Sequence, residues 1–76
     1  MGMNGEKKIR IEPGEVFKYR VLHRGKFLRE TTVSYETMLS VHHNIFPMDL
    51  IRRWTSLSEN NCKGEFRYEF IGIFKA

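Results

Sequence analysis

The residues of this chain that could do chemistry are three histidines, one cysteine and a set of arginines. Two of the histidines open the stretch "HHNIFPMDLIRRWTS", residues 42–56, which ends beside the single tryptophan, Trp54. A metal site needs three or four ligands converging on one point, usually at spacings such as C-x-x-C or H-x-x-x-H. His23, His42, His43 and Cys62 show neither spacing. Adjacent helical residues diverge by about 100°, so His42 and His43 are poorly placed to share an ion. No metal and no other cofactor is expected. His42 is expected at the edge of the core. His43 is expected in solvent at a helix C-terminus, where positive charge is favourable.

Nucleophilic chemistry finds no better footing. Cys62 lies between Asn61 and Lys63, and a neighbouring ammonium lowers a thiol pKa. No base stands at a spacing that would take its proton. A metal-independent nuclease would draw on His, Arg, Tyr or Glu, and these are present without an ordered motif. No glycine-rich phosphate loop occurs. The chain is therefore expected not to be an enzyme.

The cations carry the strongest signal. Thirteen Lys and Arg against nine Asp and Glu leave a net charge of +4 and a pI near 9.5. That balance favours a polyanion or an acidic protein surface as partner. Strand alternation places Lys8 and Arg10 on one face, Lys18 and Arg20 on one face, and Arg67 on the polar face of the last strand. Arg29 joins them if the alternation of its strand allows. With the aromatic faces turned inward, these cations form a basic sheet surface suited to phosphates. Helical spacing points Arg52 and Arg53 outward as further phosphate contacts, so losing both should weaken binding and its salt dependence. Glu12, Glu15 and Glu69 dilute the charge, and the competing reading is an ordinary solvated sheet face.

The elements that must position these groups follow from periodicity. Residues 8–12, "KIRIE", alternate as a strand, and Pro13–Gly14 turns the chain. "EVFKYRVLH", Glu15–His23, and residues 27–33, "FLRETTV", form a hairpin about Gly25. Ser34 with Glu36 signals a helix start, and residues 35–43 read as a short amphipathic helix. Pro47 disfavours helix at Phe46 and suits the first turn of a second helix, with Leu50, Ile51, Trp54 and Leu57 on one stripe. Trp54 is expected to be mostly buried against the aromatic face of the last strand. Two helices joined by so short a break fit a helix-turn-helix and, equally, a plain αα corner. Residues 58–64, "SENNCKG", read as a polar loop. Residues 65–75 read as a closing strand with Phe66, Tyr68, Phe70 and Phe74 on one face. The order β-β-β-α-α-β predicts an α+β domain, an antiparallel sheet covered on one face by two short helices. A β-grasp arrangement is the alternative topology.

A length of 76 residues fits one domain. Met3 offers a second start, so residues 1–5 are expected to be disordered and residues 6–76 to form the domain. Cys62 has no partner for a disulfide, which suits a reducing, cytoplasmic setting. No apolar run approaches the roughly 20 residues that span a bilayer, and no signal-peptide core is present.

One resemblance rests on "GKF" at residues 25–27, Ser34, Ile45, Leu50–Ile51 and "KGEFRY" at residues 63–68. In these pieces residues 25–68 resemble the small DNA-binding repeats that accompany intron-encoded homing endonucleases. Those repeats pass from a strand through a Ser-capped helix and a second helix to a Lys-Gly-aromatic strand. The resemblance implies DNA rather than RNA as ligand. The expectation is a small basic nucleic-acid-binding accessory or regulatory protein, of the kind carried by viruses and mobile elements. The alternative is a protein-interaction module, an inhibitor or adaptor docking on an acidic protein surface.

Overall fold

A computed structural model describes residues 9–76. The tail expected at residues 1–5, the domain start at residue 6 and Lys8 lie outside the described residues. Strands β1 (Glu15–His23), β2 (Lys26–Ser34) and β3 (Phe66–Lys75) form one antiparallel sheet in the order β2-β1-β3. Alternation along β1 puts Phe17, Tyr19 and Val21 under the helices and leaves Lys18 and Arg20 on the open face. The hairpin closes in two residues, because Arg24 and Gly25 both take positive φ, 52° and 80°. That is the twist-matched turn which favours glycine at its second position.

The strand expected at residues 8–12 is not formed over its described part. Residues 9–12 make one backbone bond to the helical side, Ile11 N–H to the Ile45 carbonyl at 2.9 Å. Both edges of β1 are already taken by β2 and β3, and the turn at Pro13–Gly14 sends the segment across the end of the sheet. Ile11 there is wholly buried beside Phe17, Val33, Met38 and Leu50. The element order is therefore β-β-α-α-β.

Two bulges decide which side chains face where. Val21 pairs with Arg29 and Leu22 with Phe27, so Leu28 is an extra residue in β2. Lys18 pairs with Gly72 and Tyr19 with Phe70, so Ile71 is an extra residue in β3. An inserted residue reverses the alternation beyond it. Phe74, expected on the face of Phe66, Tyr68 and Phe70, emerges on the open face, 46% exposed, and Ile73 takes the core position. Phe27 is turned onto the open face in the same way, whereas Arg29, opposite Val21, sits on the helix side.

The first helix begins at Ser34, whose Oγ accepts the Thr37 N–H at 3.2 Å. It runs as α1 (Tyr35–Thr37) and continues as a π-helical turn, Met38–His42, ending with His43 left-handed at φ 54°. Asn44 Oδ1 accepts the Phe46 N–H at 2.7 Å, and Pro47 then opens α2 (Pro47–Cys62).

Helix α2 runs through most of the stretch expected as a polar loop. The reason lies in Ser58, which is 5% exposed. Its Oγ donates to the Phe66 carbonyl at 2.7 Å and accepts the Phe66 N–H at 3.1 Å, tying the helix to the start of β3. Ser58 takes the buried stripe position after Leu50, Ile51 and Trp54. Leu57, expected on that stripe, is 51% exposed. Only Lys63 and Gly64 lie outside the helix, both left-handed, with Gly64 N–H bonded to the Ser58 carbonyl at 3.0 Å. Ser58→Ala strips two backbone groups of their partner and is expected to cost about 2 kcal/mol. An unchanged melting temperature would remove Ser58 from that role.

Trp54 is half-buried at the centre of an aromatic cluster. Its ring lies 4.9 Å from Tyr19, 5.6 Å from Tyr68 and, edge-on, 5.8 Å from His42. Its expected contact with β3 is made through Tyr68, and its nearest ring belongs to β1. Burial raises the Tyr19 hydroxyl pKa, with the Arg29 charge opposing and Tyr68 adding to the rise.

Candidate nucleic-acid interface

The structure divides the six described cations of the expected set among three places. Lys18, Arg20 and Arg67 share the open sheet face, Arg67 sitting opposite Leu22. Arg10 lies on the segment before β1 and pairs with Glu12 at 2.7 Å. Arg52 and Arg53 project from the outer side of α2, away from the sheet. The sheet cations and the helix arginines do not share a surface.

The open face is not purely basic. Arg20 stands between Glu30 on β2 and Glu69 on β3, at 3.9 and 3.7 Å, and Lys18 reaches Glu30 at 3.7 Å. Exposed pairs of this length contribute about 0–1 kcal/mol each. They are cheap to rearrange around a phosphate, but they weaken the field it would meet. Each of the two cations also lies by an exposed ring, Lys18 Nζ 5.1 Å from the centre of Phe74 and the Arg20 guanidinium 6.0 Å from Phe27. Arg67 has no ion pair among the described residues.

Further cations lie at the end of the sheet where the hairpin tip meets the start of β3. The Arg24 N–H bonds the Glu65 carbonyl at 2.8 Å, and the Arg24 Nε donates to the Glu65 carboxylate at 2.9 Å. His23 Nε2 lies 3.4 Å from the same carboxylate oxygen, and its ring sits 4.7 Å from Phe66. Lys26 pairs across the hairpin with His23, and Lys63 ends α2 two residues before Glu65. The hydrogen bond from Arg24, then the Arg24 charge, holds the Glu65 carboxyl below its ordinary range. Glu59 is the other carboxylate here, its Cγ 3.9 Å from where a side chain on Gly64 would begin. Arg24, Lys26, Lys63 and Arg67 thus outnumber the acids around them, and Phe27 beside them is 62% exposed.

Of these four, the expected set held only Arg67. The signal was present in "RGKF" and "KGEFR", which both carry cations and an aromatic about a left-handed glycine turn. Their meeting depends on strand register between segments 41 residues apart.

The arginines of α2 give a separate test. Arg52 pairs only with Asp49 in the preceding turn, at 3.3 Å, and Arg53 has no ion pair among the described residues. The double change Arg52→Ala, Arg53→Ala is expected to alter stability by less than about 0.5 kcal/mol per site. Nucleic acid held on the sheet side should keep its salt dependence in this variant. A flattening by about two units of log–log slope would move the interface to α2.

Cys62 lines a shallow, mostly apolar cleft of about 170 Å³ with Trp54, Leu57, Phe66 and Tyr68. Among the described residues no three of His, Cys, Asp and Glu are grouped to hold a metal ion. No helix among them is long and apolar enough to cross a membrane. No protein-family model, curated protein or solved structure matches the chain.

Proposed function

We propose that this protein is a nucleic-acid-binding accessory factor that grips its ligand at the hairpin end of the sheet and along the adjoining open face. The observation that carries the reading is that Arg24, Lys26, Lys63 and Arg67, from two distant segments, all lie at the hairpin end of the sheet, where the ring of Phe27 is exposed. Phosphate contacts need clustered cations that are not each held by a carboxylate. The resemblance of residues 25–68 to DNA-binding repeats points the same way and favours DNA. A viral or mobile-element setting, which the chain's compactness, basicity and lack of a catalytic motif suit, belongs to the same proposal. Titration with labelled DNA and RNA, each challenged with an acidic protein, tests the reading. Nucleic acid should bind, weaken as salt rises, and resist the competitor.

A protein-docking role draws on a different feature, the outer edge of β2, which pairs with no strand among the described residues. There Phe27 and Leu28 are 62% and 48% exposed, and an exposed apolar edge can pair with a strand from a partner. Capture of the acidic protein with no binding of DNA or RNA would favour that role instead.

A further inference from the structure

Resting on the nucleic-acid reading, we infer that the ligand is single-stranded, with unpaired bases stacking on Phe27 and Phe74 as two posts at opposite corners of the open sheet face. The two bulges make this arrangement. Without Leu28 and Ile71 as extra residues, the alternation of each edge strand would carry its phenylalanine under the helices. Both rings instead stand in solvent, 62% and 46% exposed, on a face no other part of the described chain covers. The open face holds both beside cations, Arg20 near Phe27 and Lys18 near Phe74. Gly72 leaves room for the second ring, since a side chain begun there would meet Phe74 at 3.3 Å.

The spacing suits a strand laid across the sheet. Phe27 pairs opposite Leu22 and Phe74 opposite Val16. Those positions are six residue steps apart along β1, about 20 Å at the rise of an extended strand. Lys18 and Arg20 lie between them, and Arg67 lies beside Leu22. Glu30 and Glu69 also face this surface, and they engage Lys18 and Arg20 in weak exposed pairs that a phosphate can replace. Net positive charge with two protruding rings matches a polyanion whose bases offer free π-faces. A duplex keeps its bases stacked inside, so the rings would have nothing to stack on without opening it.

The test is fluorescence anisotropy with the full chain and a labelled single-stranded oligodeoxynucleotide of about 12 nucleotides, within the range of small single-strand sites, beside the same sequence as duplex. The single strand should bind more tightly at equal salt. Phe27→Leu and Phe74→Leu should each weaken single-strand binding by about tenfold, the lower range of one lost base stack. Duplex binding should fall less than single-strand binding, and the melting temperature should stay unchanged, because both rings are exposed. Phe27→Tyr, which keeps a ring, should bind as the unaltered chain does. Equal or tighter duplex binding, or leucine variants that bind the single strand normally, would overturn the inference while leaving the nucleic-acid reading intact. Failure to bind either form would overturn both.

Discussion

Replacing Phe17 with alanine is expected to remove a large part of the stability of the domain, about 3–5 kcal/mol. Phe17 is wholly buried on the central strand, opposite Val33 and Ile73. Its ring lies 5.4 Å from Tyr19, 6.3 Å from Trp54 and 6.4 Å from Phe70, so one side chain joins β1, β3 and α2. A Phe→Ala change in a packed core costs about 3–5 kcal/mol, part transfer and part cavity. A domain of this size holds on the order of 4–11 kcal/mol in total, at 0.05–0.15 per residue. Collapse around the cavity is restricted, because Tyr19 and Trp54 already pack on each other and on Tyr68. Trp54→Ala should cost less than Phe17→Ala, since its ring is only half-buried. Urea unfolding measures both, followed through Trp54 fluorescence for Phe17→Ala and through circular dichroism for Trp54→Ala. A Phe17→Ala midpoint equal to that of the unaltered chain would mean the core is not centred on this residue.

How much of this was legible in the sequence depends on the range of each interaction. The hairpin was legible, because strict alternation in Glu15–His23 and a glycine at its tip are local signals. So were the Ser34 cap and the restart at Pro47, which act within one helical turn. The fate of residues 8–12 was not local. Their alternation suits a strand, but both edges of β1 were claimed by longer segments, and Ile11 contributes more as a plug in the core. The end of α2 was misread for a related reason. "SENNCKG" is polar enough for a loop, yet Ser58 buries its hydroxyl against the backbone of Phe66, a partner the helix meets only after folding.

The candidate site shows the same division more sharply. Lys18, Arg20 and Arg67 were assigned to one sheet face by alternation, and they share it. Their carboxylate neighbour Glu30 could be placed there only with the register of β1 on β2. Leu28 and Ile71 are ordinary strand residues with no signature of a bulge, so nothing local announced that Phe27 and Phe74 would face outward. The basic end is a product of register alone, because it joins a hairpin tip to a helix end through the β1–β3 pairing.

That basic end should hold most of the electrostatic affinity, and removing it should produce the largest change in binding. The variant Arg24→Gln, Lys26→Gln, Lys63→Gln, Arg67→Gln keeps long polar side chains at exposed positions and introduces no cavity. Its cost to folding should be small, since the one ion pair lost with a neighbouring strand, Arg24 to Glu65, is at the surface. Loss of four phosphate contacts flattens the log–log salt dependence by about 2.8 units on a single strand, at 0.7 per contact. At about 0.1 M salt that corresponds to a loss of affinity on the order of a hundred- to a thousandfold. The Arg52→Ala, Arg53→Ala variant, measured beside it, removes two charges from the outer side of α2. If net charge alone drew the polyanion, the slope would fall in proportion to the charges removed, whichever surface they came from. If the hairpin end is the main site, the fourfold variant loses most of the salt dependence, Lys18 and Arg20 keeping the rest, and the α2 variant loses none. Proportional losses in the two variants would replace a built interface with a diffuse positive field, and the convergence of "RGKF" and "KGEFR" would then serve only to close the sheet.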